Sequence, residues 1–197
     1  ISDMSLLKKL KPYLELSEML GKIQSQLSVH PIDKIEIKCY GSIDDTKAIT
    51  LAFIKGFLSN IIDDRVNYIN ALTIAEERGI KFNTSHSMKS EKYSNMIDSF
   101  VCTKHETTNI GGGVFSDDNF HILKIMNHEI DFKPEGNIIL ARNKDIPGVI
   151  GKVGTMLGEA KINIAEFLLS RPNNNEHPIS IIKVDNKLEG DDLQSLK

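Results

Sequence analysis

The sequence predicts an α+β protein in two parts, and three observations carry that expectation. In the first half, helix-like stretches flank one alternating strand, and several β-like stretches follow with no helix between them. That order suits an antiparallel sheet backed by helices. The second half reads β, α, β, β and the start of another α within about 60 residues, which is most of a split β-α-β, ferredoxin-like unit without its last strand. Between them, Lys133-Pro134-Glu135-Gly136 has the composition of a short linker. The expected domains are therefore residues 1–136 and 137–197.

Taken in order, residues 11–26 place Leu14, Leu16, Leu20, Ile23 and Leu27 mostly at helical spacing, with Pro12 suited to a first turn and Gly21 a tolerated defect. Residues 35–40 alternate apolar and polar side chains and end at Gly41, the pattern of a half-buried strand. Thr46 is the expected cap of a helix whose apolar face is Ile49, Ala52, Phe53, Phe57 and Leu58. A shorter helix covers 71–78 and closes at Gly79. Residues 83–95, rich in Ser, Asn, Lys and Thr, read as a loop. Strands are expected at 97–102, 109–115, 120–126 and near 130–132. The second part reads β at 137–142, α at 148–160, β at 162–171, loop at 172–177, β at 178–184 and α from Glu189. Val149, Ile150, Val153, Leu157 and Ala160 form its helix face.

Composition narrows the function classes. The apolar and charged fractions, 40% and 26%, are those of a globular protein with a packed core. A formal net charge of −3 gives no whole-chain attraction to nucleic acid or to a membrane surface. No apolar run approaches the roughly 20 residues that span a bilayer, and no signal pattern opens the chain, so a cytoplasmic setting is expected. Cys39 and Cys102 stand singly in apolar stretches, and two free thiols are expected over a disulfide. No histidine pair has zinc-ligand spacing. The chain opens at Ile1 with no initiator methionine, so a fragment of a longer protein is expected.

The stretch 143–154 joins a strand to a helix through an acidic residue, a proline and a glycine. Such a turn presents backbone N–H groups and polar side chains at a helix N-terminus, where a small anion or zwitterion can be held. Gly148, Gly151 and Gly154 have the wrong spacing for a dinucleotide fingerprint and sit in the helix, where they read as packing positions. Gly111-Gly112-Gly113 lacks the ending of a phosphate loop and reads as a strand kink or bulge.

The run from Asp145 through Pro147-Gly148-Val149, Gly151-Lys152-Val153-Gly154-Thr155 and Ile162-Asn163-Ile164-Ala165 resembles the ACT domain of long-form D-3-phosphoglycerate dehydrogenases. Pro12-Tyr13-Leu14 to Leu20-Gly21 resembles the segment where the chain leaves the catalytic body in that family, and Val66 to Ala71 with Ala75 to Ile80 resembles its intervening, allosteric-substrate-binding domain. The resemblance implies the regulatory and oligomerisation region of an NAD-dependent enzyme at the first step of L-serine biosynthesis. It implies a catalytic domain upstream, with no catalytic residue and no cofactor in this chain. The implied partners are L-serine or another small amino acid and further copies of the chain, paired through ACT domains.

Asp145 has two readings, a helix cap or a carboxylate facing the ammonium of an amino acid; the resemblance favours the second. It also implies effector contacts from Asn143, Ile146 and Asn163, the last from a neighbouring subunit across a two-fold axis. The alternative for Asn163 is a left-handed helix end, and Lys144 is expected in solvent. His121 and Lys133 match a basic, anion-binding cluster of the family, or else are surface residues beside a strand. Two other functions stay open: an oligomerisation module without a ligand, and a beta-type subunit of an iron–sulfur L-serine dehydratase. Against the latter, residues 41–46 contain no histidine and there is no cysteine cluster.

Overall fold

The computed structural model describes residues 2–43, 45–62, 66–89, 93–116, 119–142, 144–171 and 177–188, with side chains of the first helix described from Lys8. It divides into two compact units, Ile1–Met126 with Asp131–Lys133 and Asn127–Ile130 with Pro134–Lys197. Among the described residues, no helix is long and apolar enough to cross a membrane.

The first unit is built from α1 (Ser2–Leu27), β1 (Ile32–Tyr40), α2 (Thr46–Leu58), α3 (Ala71–Glu77), β2 (Lys81–Ser87), β3 (Met96–Thr103), β4 (Thr107–Ser116) and β5 (Asn119–Ile125). With β6 (His128–Phe132) these strands form a six-stranded sheet in the order β2-β1-β3-β4-β5-β6. The β1–β3, β3–β4 and β4–β5 pairs are antiparallel as expected, but β1 and β2 are parallel, so the sheet is mixed. The loop expected over 83–95 is in fact strand through Ser87. The reason is that β2 is an edge strand: only Phe82 and Thr84 are half-buried, and every other side chain faces water. Polar composition suits such an edge, and backbone pairing with β1 supplies the order that the side chains do not advertise.

Helix α1 is longer than expected, and Pro12 lies inside it, buried, instead of in the first turn. The stripe it buries includes polar and small positions: Leu16, Ser17, Leu20 and Gln24 are fully buried. Gln24 donates from Nε2 to the carbonyls of Ser99 and Thr108, both at 3.2 Å, and accepts from the Thr108 hydroxyl at 2.6 Å. Ser17 donates to the Ile49 carbonyl at 2.8 Å. These bonds offset the desolvation cost of placing polar groups in the core. Gly21 is not a defect. A Cβ there would lie 2.2 Å from the Phe53 carbonyl oxygen, and one on Gly56 would lie 2.0 Å from that of Glu18, so α1 and α2 cross backbone against backbone.

Asp45, not Thr46, caps α2, its carboxylate accepting from the Ala48 N–H at 3.0 Å. The apolar face expected for α2 is buried in full. The glycine run of β4 carries a register shift between Gly111 and Gly112, the bulge expected for it. Each missing side chain makes room for a neighbour: Asp98 and Met96 at Gly111, Leu16 at Gly112, and Leu123 at Gly113. Both cysteines are free, and burial pushes the Cys39 thiol up to about 11.

The second unit contains β7 (Asn137–Arg142), α4 (Val149–Glu159), β8 (Ile164–Ser170) and β9 (Ile179–Val184). Its three-stranded sheet has the order β7-β9-β8, with β9 antiparallel to both neighbours. Thus β7 and β8 run parallel with β9 inserted between them, which is the split β-α-β arrangement. Leu157 and Val153 of α4 pack with Ile139, Ile162, Phe167, Ile182, Val184 and Leu188. Ile150, expected on that face, is instead exposed at 49%. Around the Cβ positions of Gly151 and Gly154 nothing lies within 4 Å, so the described residues give these glycines no packing role. The helix expected from Glu189 lies outside the described residues.

Candidate functional site

Strand β7 ends at Arg142 and the chain turns through Lys144–Gly148 before α4 begins. The Ile146 N–H donates to the Lys144 carbonyl at 3.0 Å, tightening the turn. Gly148 occupies the N-cap position with φ at +92°, a left-handed conformation that a side chain would strain. The cap makes no side-chain bond to the helix, so Asp145 is not the cap. Its carboxylate instead meets the guanidinium of Arg171, with Nη2 3.0 Å from Oδ1.

The topology explains that meeting. Because β7 and β8 are parallel, their C-terminal ends share one end of the sheet, and Arg171 follows β8 directly. Asp145, Ile146, Pro147, Gly148, Val149, Ile150 and Arg171 together line a cavity of about 200 Å³. Its rim is charged and apolar at once: Ile146 is 59% exposed beside the ion pair. Lys144 is exposed, as expected. Asn143 lies outside the described residues.

Asn163 is elsewhere. It precedes β8 and donates from Nδ2 to the Asp185 carboxylate at 2.9 Å, while its carbonyl accepts from the Asp185 N–H at 3.2 Å. It therefore lies at the opposite end of β8 from Arg171, about 25 Å away at strand rise. The left-handed residue after α4 is Lys161, φ +57°, so Asn163 is not the helix-ending residue either. Within one chain, Asp145 and Asn163 cannot touch the same small molecule.

In the first unit, His121 on β5 pairs through Nδ1 with Asp131 Oδ1 at 2.5 Å and through Nε2 with Asn119 Oδ1 at 3.1 Å. Its ring meets Phe115 edge-on at 5.3 Å between centroids. Lys133 follows β6 immediately and is half-buried. The His121 ring is thus held by Asp131 and Asn119, and of His121 and Lys133 only the lysine is a permanent cation. A second cavity, about 300 Å³, opens between α1, the β1–α2 turn and the end of β4, lined among others by Lys9, Tyr13, Ser42, Asp45, Asn95 and Phe115. None of the candidate site residues named from the sequence lines it, and Lys9 and Asp45 leave it without a dominant charge.

Arg171 is the site residue that sequence reading missed. The signal was present: a basic residue closing a strand expected to lie parallel to the one before the turn. Among the described residues there is no group of three or more His, Cys, Asp or Glu side chains placed to hold a metal.

A helix-backed mixed sheet, followed by a split β-α-β unit whose first turn carries a charged cavity, defines a two-unit α+β chain. Residues 9–126 match the family model for the D-3-phosphoglycerate dehydrogenase intervening domain, and the chain belongs to that family. It is 33% identical over 183 residues to the D-3-phosphoglycerate dehydrogenase of Bacillus subtilis (strain 168), covering 92% of this chain and 35% of that protein. The enzyme of the same name from Methanocaldococcus jannaschii is 32% identical over 193 residues, 97% of this chain and 36% of that one. That from Archaeoglobus fulgidus is 33% identical over 162 residues, 81% of this chain and 31% of that one. The chain thus spans about a third of the length of the curated relatives it matches.

Proposed function

We propose that this chain is the regulatory and oligomerisation region of a D-3-phosphoglycerate dehydrogenase, and that its second unit is an ACT domain binding L-serine as feedback effector. The parent enzyme, on this reading, is NAD-dependent and acts at the first step of L-serine biosynthesis, with its catalytic domain upstream. The observation that carries the reading is the turn: Asp145 and Arg171 place opposite charges on a cavity of about 200 Å³, in a chain whose relatives are D-3-phosphoglycerate dehydrogenases. A cavity below the roughly 300 Å³ typical of drug-sized ligands suits a small amino acid. Ile146 belongs to the same turn, Asn143 is the effector contact proposed from the sequence just before it, and Asn163 reaches the ligand from a second copy of the chain. In the first unit, His121 and Lys133 hold an anion such as phosphate.

For serine to act as an effector it must favour one arrangement of the parent enzyme over another, by about 1–3 kcal/mol of coupling. Isothermal titration of L-serine into the folded chain tests the reading. Saturable heat at or below millimolar serine is expected. A well-folded oligomer that gives no heat at millimolar serine, and none with other small amino acids, overturns it and leaves a module that only oligomerises.

A further inference from the structure

An amino acid presents two charges to any site that holds it, and the turn presents two opposite charges of its own. We propose that Arg171 reads the carboxylate of the effector, so that the Asp145–Arg171 pair is the ligand-free, self-satisfied form of a receptor for a small α-amino acid zwitterion. This rests on the effector reading of the turn given above, and adds to it a residue and a rule of selection.

The geometry supports both halves of the exchange. Arg171 and Asp145 line one cavity and touch at 3.0 Å, with side chains 65% and 55% exposed. An ion pair that exposed contributes little, so opening it costs little, and neither charge is stranded in a low dielectric while the ligand enters. Once inside, the ligand carboxylate meets the planar guanidinium fork, whose donors match a carboxylate bidentately. The ligand ammonium takes the place of that guanidinium at Asp145. One internal pair becomes two pairs with the ligand, and the site stays electrically balanced.

Selection follows from the same balance. An amine without a carboxylate gains only the contact with Asp145. A carboxylate without an amine gains only the contact with Arg171. A molecule carrying both groups gains both contacts for the loss of one weak internal pair. Arg171 is well placed for this because it follows β8 directly and inherits its position from the sheet, not from the turn it faces.

The test is a titration of the whole chain with L-serine and with ethanolamine, which is serine without its carboxylate. The unsubstituted chain is expected to prefer serine. Arg171→Ala is expected to lose about 10- to 100-fold in serine affinity, the loss typical of a charge-assisted bond, while its affinity for ethanolamine holds or rises because Asp145 is released. Arg171→Lys keeps the charge without the fork and is expected to fall between the two; it carries the test if the alanine variant fails to fold. Equal losses for serine and ethanolamine in both variants, or no loss for serine, would show that Arg171 only props the turn and overturn the inference while leaving the effector reading intact. An unsubstituted chain that binds no amino acid overturns both.

Discussion

Replacing Gly21 by alanine sets two physical effects of opposite sign against each other. On helix propensity alone the change in α1 is favourable by about 0.8–1.0 kcal/mol. The structure places the new Cβ 2.2 Å from the Phe53 carbonyl oxygen and 2.7 Å from the Phe57 amide nitrogen, and both are backbone atoms that cannot swing aside. Restoring ordinary contact requires α1 and α2 to part by about 1 Å, a gap that already forfeits a quarter to a half of each dispersion well along the seam. Leu20, Ile49, Phe53 and Phe57, all fully or nearly fully buried, lose packing together. Overpacking of this kind costs about 1–3 kcal/mol, and a backbone-to-backbone clash belongs at the upper end. The net expectation for Gly21→Ala is a loss of about 2 kcal/mol after subtracting the propensity gain. Urea unfolding followed by circular dichroism reads this as a lower midpoint at unchanged slope. The pair Gly21→Ala, Gly56→Ala supplies a second reading, because Gly56 meets the Glu18 carbonyl at the same crossing. Once one alanine has parted the helices the second costs less, so the double variant should lose clearly less than the sum. A Gly21→Ala chain as stable as the original would refute the reasoning, since propensity would then have won.

Asp98 lies between β1 and β4 with one carboxylate oxygen buried and without a hydrogen-bond partner, and burial pushes its carboxyl up, partly offset by Lys124 and Lys38. A folded-state value above the unfolded one means that stability falls as pH rises through it, so Asp98→Asn should raise the melting temperature at pH 7 and lose that advantage as pH is lowered towards 4. Gly148→Ala, at φ +92°, should cost about 1–2 kcal/mol through backbone strain alone, whereas Gly151→Ala, helical and facing open space, should gain about 0.5–1 kcal/mol; equal effects in thermal melts would contradict the assignment. Mixing Asp145→Ala with Asn163→Ala chains should restore about a quarter of the serine sites, because half of randomly formed two-fold pairs would carry one intact site each. Titration showing no recovery would mean that the two residues do not share a ligand across copies.

Much of the fold could be read in the sequence wherever burial is one-sided. The alternation at residues 35–40, the face of α2 and the β-α-β-β order of the second unit each leave a periodic apolar trace, and each is found in place. What escaped reading obeys different physics. Strand β2 is held by its backbone, so its side chains carry no strand signal. Gly21 and Gln24 serve contacts made with residues far along the chain, and a local pattern can record neither a close crossing nor a buried amide. At the turn, Gly148, read from the sequence as a packing position, holds the cap that local reading offered to Asp145, and Asp145 pairs with Arg171 instead. Arg171 lies 26 positions beyond Asp145, and only the parallel pairing of strand ends brings it back.

The positions of the candidate residues also separate affinity from regulation in the proposed sensor. A ligand held by Asp145 and Arg171 alone gains the same contacts whether a unit stands alone or is paired, since both residues belong to one unit. Equal affinity for two states shifts neither, however tight the binding. Asn163 is different, because it sits at the far end of β8, about 25 Å away, and can meet that ligand only from another copy. Its Nδ2 donates one hydrogen to Asp185, and the amide has a second hydrogen and an acceptor oxygen to offer a ligand. Among these candidate residues, a preference of the ligand for an assembled arrangement over a separated one is carried by Asn163. Substituting Arg171 should weaken binding and leave its dependence on protein concentration unchanged. Substituting Asn163 should remove that dependence, with residual binding retained at the Asp145 turn.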